Sequence, residues 1–181
     1  MARYDTLPTA WADLGYNGKS YVTSTRSGFR SSAIDKNGLY RFVAPDASSR
    51  ELGEALLDVL GASRVVPESE FSDFFDWRKV DERVKKWCEV QCEYFDVKSI
   101  QTVNKNMMRC GVEVRDGILY LDSWIHVAAS EWKDFTDQDA HTTSLPYNSP
   151  PEAIGAAIRT AIQLCDGNGR MSLKFPEPLP D

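Results

Sequence analysis

A short helical pattern that occurs twice places the strongest constraint on the fold of this chain. Residues 52–56 (LGEAL) match residues 154–158 (IGAAI) at an offset of 102, and a Ser-x-x-Glu sequence precedes each copy, at 48–51 and at 149–152. Ser-x-x-Glu is a capping box, which begins a helix. The glycine in each helix costs about 1 kcal/mol against alanine, a cost that close approach of the helix to a sheet would explain.

The repetition predicts two related halves, each with strands followed by a helix. The two capping boxes are offset by 101, so the register differs by one residue between the copies. Chance likeness between amphipathic helices that carry small residues is the alternative explanation, and it stays open at this point. The expected fold class is α+β, a single domain over residues 1–181 in which helices pack on antiparallel sheets.

Local signals predict the elements of the first half. Pro8, Gly15 and Gly18 indicate irregular structure, and Asn37-Gly38 indicates a hairpin because both turn positions favour positive φ. The expected elements are an irregular lead-in at 1–18, a strand at Lys19–Ser27, hairpin strands at Arg30–Lys36 and Leu39–Ala44, and a helix that ends near Gly61.

Similar signals predict the rest of the chain. Asp116-Gly117 indicates another hairpin, a proline occupies the first position of the last helix, and Gly167-Asn168-Gly169 ends that helix. The expected elements are a helical turn around Glu68–Phe75, a helix at Arg78–Tyr94, strands at Ser99–Lys105, Met107–Arg115 and Ile118–Ser123, an acidic loop at 131–140, a short strand at His141–Pro146, and a Pro-rich extended tail at 170–181.

The charge of the chain argues against nucleic acid as a partner. The net charge is −6 and the pI about 5.0, whereas proteins that bind nucleic acid by its phosphates usually carry a basic stripe. The acidic balance favours a basic partner, or serves only solubility. No apolar run approaches the ~20 residues that cross a bilayer, and the N-terminus does not have the pattern of a signal peptide. We therefore expect no membrane contact and a cytoplasmic protein.

Motifs that would indicate an enzyme, a metal or a cofactor are missing from the sequence. None of the nucleotide-binding, nucleophile-elbow or zinc-protease patterns occurs. A pair formed by His126 and His141 could do acid–base work, but neither has a neighbouring Lys or Arg to hold a phosphate. The four cysteines (Cys88, Cys92, Cys110 and Cys165) form no Cys-x-x-Cys pair and are expected to be reduced and inert. We expect no catalysis, no metal and no cofactor.

Two stretches combine carboxylates with large aromatic residues. The first acidic cluster, within 68–82, contains Glu68, Glu70, Asp73, Asp76, Asp81 and Glu82 among phenylalanines and Trp77; the second, within 131–139, contains Glu131, Asp134, Asp137 and Asp139 beside Trp132 and Phe135. Charged runs are usually solvated surface. The functional alternative is a partner-binding surface, on which acidic groups steer a basic partner and aromatic groups anchor it.

Three segments in this order and spacing resemble one family, the immunity proteins of bacterial contact-dependent growth inhibition systems. They are SSRELGEALLDVLGASR at 48–64, KNMMRC at 105–110 with its continuation through Ile118, and NSPPEAIGAAIRTAI at 148–162. The resemblance covers residues 35–166, and KNMMRC is its most specific part.

The resemblance implies a protein that binds the C-terminal domain of a surface-delivered toxin inside the cell and blocks it. Such toxin domains are commonly nucleases, and these often attack RNA. Some relatives are similar in fold to Whirly single-stranded-DNA-binding proteins, which agrees with two repeated halves and suggests nucleic-acid binding as the alternative function. Because each immunity protein matches its own toxin, no contact residue is carried over, and Lys105–Cys110 is expected to serve the fold.

Overall fold

The computed structural model of the protein describes residues 5–128, 130–165, 177, 179 and 180. Eight strands form one curled antiparallel sheet, and five helices pack against it. The strands are β1 Ala10–Tyr16, β2 Tyr21–Gly28, β3 Ser32–Ile34, β4 Tyr40–Val43, β5 Met108–Arg115, β6 Ile118–Ala128, β7 Glu131–Asp134 and β8 Thr142–Pro146. The helices are α1 Ser49–Gly61, α2 Phe71–Phe74, α3 Trp77–Tyr94, α4 Ile100–Asn104 and α5 Pro151–Leu164. The predicted α+β class is confirmed.

The sheet consists of two equivalent halves, as the repeated pattern predicts. In the first half, β1 pairs with β2, while β4 and β3 share the outer edge of β2 and α1 follows. In the second half, β5 pairs with β6, while β8 and β7 share the outer edge of β6 and α5 follows. The antiparallel pairing of β1 with β5 joins the halves, with Asp13 opposite Gly111 at its centre. The likeness to Whirly proteins stays a prediction.

One face of the sheet carries the main core. Alternate residues of β1 and β5 point to this face, where they are buried under α1 and α5. The helix stripes that meet them are Leu52, Leu56, Val59 and Leu60 from α1, and Ile154, Ile158, Ala161 and Ile162 from α5. The predicted capping box on α1 forms, since Ser48 and Glu51 each accept a hydrogen bond from the other residue's backbone N–H.

The two helix glycines allow α1 and α5 to touch each other. A Cβ on Gly53 would lie 1.9 Å from the carbonyl oxygen of Pro151, and a Cβ on Gly155 would lie 1.9 Å from that of Ser49. The contact is reciprocal, as expected for related halves. The prediction that these glycines approach a sheet is therefore wrong, because each instead meets the backbone of the other helix.

Residues between the halves cover part of the opposite face of the sheet. Trp87 of α3 and Val103 of α4 are buried there against Val22 and Met107. Tyr40 stacks on the Trp87 ring with 4.5 Å between centroids. The predicted helices around Glu68–Phe75 and at Arg78–Tyr94 are confirmed. No helix in the described part of the chain combines the length and apolarity needed to cross a bilayer.

Two predicted features in the first half are wrong. The lead-in contains β1, a central strand; Gly15 in it provides space rather than a break, since a Cβ there would lie 2.7 Å from Met107 Sδ. The strands around Asn37-Gly38 do not pair with each other, because both lie along β2. Positive φ among the described residues occurs elsewhere, at Gly18, Asp96, Asp116 and Gly117.

Three more corrections concern the later part of the chain. The strand predicted at Ser99–Lys105 is wrong, because residues 100–104 form α4, in which Ile100 and Val103 pack at helical spacing beside Trp87. The loop predicted at 131–140 begins with β7. The capping box at 149–152 does not form, since Pro150 is the N-cap and the Glu152 carboxylate pairs with Arg50 of α1. The predicted stop at 167–169 and most of the tail lie outside the described residues.

Candidate functional site

The sheet face opposite α1 and α5 is open over β1, β5 and β6. There it forms a polar basin of about 410 Å³. We call this cavity the basin; its charged residues are Asp13, Arg26, Arg109, Glu113, Arg115, Asp122 and Asp134. Trp11 and Trp124 also line it. A Cβ on Gly111 would lie 2.7 Å from the Trp124 ring, so glycine at this position leaves room for the ring against the strand.

Ion pairs neutralise two of the arginines in the basin. Arg26 Nη1 lies 2.8 Å from Asp13 Oδ2, and Arg115 Nε lies 2.7 Å from Glu113 Oε1. The second pair is only 11% and 15% exposed, so water screens it less than a surface pair. Asp122 accepts a hydrogen bond of 2.7 Å from Thr142 Oγ1. These groups hold one another in place on rigid strands.

The KNMMRC segment contributes one charged residue to the basin and three core residues. Met107, Met108 and Cys110 are buried, as expected for a segment that serves the fold. Arg109 points to the other face, where its guanidinium lies 4.3 Å from the centre of the Trp132 ring and donates a 3.3 Å hydrogen bond to Asn104. Burial lowers the pKa of the Arg109 guanidinium.

The first acidic cluster lies beside β3 and does not form an acidic surface. Glu70 pairs with Arg64 at 2.8 Å, Asp73 pairs with Lys79, and Asp76 caps α3 by accepting hydrogen bonds from two backbone N–H groups. Glu68 is exposed. A cleft of about 460 Å³ opens here, and cationic residues outnumber acidic ones in its lining: Lys36, Arg64, Lys79, Arg83 and Lys86 against Glu70, Asp73 and Glu82.

The second acidic cluster lies at the other end of the strand order, on β7 and the turn after it. Asp134 lines the basin directly. Glu131 pairs with Lys133 at 3.1 Å, while Asp137 and Asp139 are exposed in the turn. Gln138 fixes this turn to the sheet, because its side chain donates to the Ser123 carbonyl at 3.1 Å and accepts from Phe135 N–H at 2.9 Å. The structure therefore joins this cluster to the basin and keeps the first cluster apart.

The histidines and cysteines take up structural positions. The His126 ring stacks on the Trp132 ring with 4.8 Å between centroids, and the His141 ring stacks on the Phe135 ring with 3.5 Å between centroids. Cys110 and Cys165 form a buried thiol pair with 3.4 Å between their sulfur atoms, and burial raises the pKa of the Cys110 thiol well above its usual value. Within the described ranges, no group of three or more His, Cys, Asp or Glu side chains is placed to hold a metal ion.

Sequence reasoning missed the basin. Its charged residues are spread over β1, β2, β5, β6 and β7, and none of them stands out locally. One signal was available in β5, where Arg109, Glu113 and Arg115 alternate with buried residues. That alternation indicates a strand with one polar face. It does not show that the polar face meets those of other strands.

Comparison with known proteins gives a family and two solved structures of the same fold. The family model described as CDI immunity protein, named CdiI, matches residues 10–165. Immunity protein CdiI-YPIII from Yersinia pseudotuberculosis serotype O:3 (strain YPIII) is 27% identical over 175 residues, which cover 90% of this chain and 99% of the relative.

Two solved structures match this chain over a similar share of its length. A chain of the CdiA-CT/CdiI toxin and immunity complex from Yersinia pseudotuberculosis matches with a TM-score of 0.82 and 25% identity, over 90% of this chain and 100% of that one. A protein of unknown function from Neisseria meningitidis matches with a TM-score of 0.81 and 27% identity, over 91% and 100%.

Proposed function

Because this chain belongs to the CDI immunity protein family, we propose that it binds the C-terminal toxin domain of its cognate contact-dependent growth inhibition effector and neutralises that domain. The observation that carries this proposal is the match to a chain of a toxin and immunity complex, which extends over 90% of this chain with a TM-score of 0.82. A match of that extent includes both halves of the sheet and the helices that pack on them. The protein then acts by occupying a surface of the toxin.

The proposal has three finer parts. The protein is not an enzyme, the toxin domain is a nuclease that attacks RNA, and the encounter takes place in the cytoplasm of the cell that makes the immunity protein. The net charge of −6 supports the second part, because a nuclease needs a cationic site for phosphates and an acidic protein is attracted to such a site.

Binding and protection are the direct tests. The toxin domain encoded by the neighbouring gene is titrated with the purified protein in a calorimeter, and cells that express the toxin domain are assayed for growth with and without the protein. We expect saturable binding and restored growth, with an association rate that falls as salt is added more than the dissociation rate rises. A toxin domain from an unrelated system is the control. Absence of saturable binding at micromolar concentration contradicts the proposal.

The toxin's chemistry is tested separately. Total RNA is incubated with the toxin domain, and stoichiometric immunity protein should stop the cleavage. If the toxin domain cleaves no RNA or DNA and the complex still forms, the nuclease part is wrong and the binding part stands.

A further inference from the structure

We propose that the basin, together with the second acidic cluster at its rim, is the surface that binds the toxin, and that the toxin's cationic phosphate-binding site docks on it. This inference rests on the function proposed above. It names the surface and the chemistry of the partner, and it chooses between the two acidic clusters.

The charges of the basin and its rim fit a basic partner. Together they contain seven carboxylates, on Asp13, Glu113, Asp122, Glu131, Asp134, Asp137 and Asp139, and four cationic side chains, on Arg26, Arg109, Arg115 and Lys133. The net charge of this surface is therefore −3, half of the net charge of −6 of the whole chain. Arg26 and Arg115 already pair with Asp13 and Glu113 on the central strands. The excess negative charge therefore lies toward β7.

The first acidic cluster fits such a partner poorly. Four of its six carboxylates are engaged, three in ion pairs and one in capping α3. The cleft beside them presents five cationic side chains against three carboxylates. Trp77 is 71% exposed and offers an apolar contact, but the Arg78 guanidinium lies 5.3 Å from the centre of its ring. Counted as for the basin and its rim, the first cluster and its cleft together carry six carboxylates and six cationic side chains. A cationic toxin site therefore meets no net charge here and a net negative charge at the basin.

The basin is also prepared for binding before the partner arrives. Its floor is made of paired strands, Trp124 lies against Gly111, and the Trp132 ring stacks on His126 and lies under Arg109. Gln138 holds the rim turn to β6. A surface whose side chains are already ordered loses little entropy on binding, which favours tight association. Carboxylates fixed in this way can occupy positions that phosphates take in the toxin's substrate, since arginine binds both in the same bidentate geometry.

Charge reversal at the rim tests the proposal. The first variant carries Asp134→Lys, Asp137→Lys and Asp139→Lys, all at exposed positions. The matched variant carries Glu68→Lys, Glu70→Lys and Asp73→Lys, which changes the net charge equally. A third variant carries Asp134→Asn, Asp137→Asn and Asp139→Asn, which removes the negative charge without reversing it. If the lysine variant does not fold, binding by this variant tests the proposal instead. All three are checked by circular dichroism and melting before binding is measured.

We expect the rim lysine variant to raise the Kd for the purified toxin domain by about 100-fold, within the range for charge pairs that lose water on binding. The asparagine variant should raise it about 10-fold, and the matched variant less than about threefold, as is usual for exposed charges. If the folded rim variants bind like the parent, or if only the matched variant loses binding, the basin is not the interface. If the parent itself does not bind, the proposed function fails instead.

A displacement experiment tests the chemistry of the occupant. A fluorescent oligonucleotide that the toxin domain binds but cannot cleave is followed by anisotropy while the immunity protein is added. The parent protein should release the oligonucleotide at one equivalent, and the rim lysine variant should need about 100-fold more protein. If the toxin binds immunity protein and oligonucleotide together with unchanged affinities, the phosphate-binding site is not the occupant and the inference is wrong.

Discussion

Replacing Gly155 with alanine should destabilise the protein, although alanine is the better helix former. In a helix exposed to solvent the change would stabilise by about 1 kcal/mol. Here the new Cβ would lie 1.9 Å from the Ser49 carbonyl oxygen, about 1.5 Å closer than non-bonded atoms approach each other. The obstacle is backbone and cannot rotate away, so α1 and α5 must separate.

The size of the effect follows from these opposing contributions. Overpacking of a core costs about 1–3 kcal/mol, and the upper value applies because both sides of the contact are helix backbone. After the gain in helix propensity, we expect a net loss of about 2 kcal/mol. For a domain of this size that corresponds to a fall in Tm of about 4–8 °C.

Urea unfolding followed by circular dichroism measures the loss, and two further variants sharpen it. Gly61→Ala is the matched control, because no atom beyond its chain neighbours and its own helix backbone lies within 4 Å of its Cβ position; it should stabilise by about 0.4–1 kcal/mol. Gly53→Ala should behave like Gly155→Ala, and the double variant should lose less than the sum, since the helices need to separate only once. A Gly155→Ala protein as stable as the parent would refute the close crossing of the helices.

Three further predictions concern function and the thiols. The protein should show no sub-micromolar affinity for single-stranded DNA or RNA in a gel shift at ~150 mM salt, because its net charge is −6; a shifted band would support the alternative of a nucleic-acid-binding protein. His126→Ala and His141→Ala should each leave protection of cells intact unless binding falls with it, and lost protection with unchanged binding would reveal a chemical role. A thiol reagent should modify the half-buried Cys88 and Cys92 in the native protein, and the buried thiol pair only after unfolding; rapid modification of all four thiols would contradict the burial.

Much of the fold could be predicted from short stretches of sequence. Ser48 and Glu51 lie one turn apart, so the capping box forms wherever the helix forms. Asp116 and Gly117 adopt the positive φ values that their turn requires, 47° and 73°. The repetition at 52–56 and 154–158 identified the two halves. In each case the physical cause lies within a few residues along the chain.

The candidate site could be predicted only in part, because its members come from distant strands. The sequence identified Asp134 and its neighbours as an acidic stretch. It could not show that they border Asp122 and Asp13, because Asp13 and Asp134 are more than a hundred positions apart in the chain. It also gave the two acidic clusters equal weight. Only the structure showed that Glu70 and Asp73 are engaged in ion pairs.

The sequence by itself determined the helix that begins at Ser49, the Asp116-Gly117 hairpin, the acidic character and the family to which the chain is similar. Tertiary structure decided that residues 10–16 form the central strand, that the helix glycines meet helix backbone, and that the open half of one sheet face holds the basin. Capping, turn conformation and net charge depend on neighbours in the chain. Strand order, helix crossing and a shared basin depend on contacts between residues far apart in sequence. Those contacts form only when the whole chain folds.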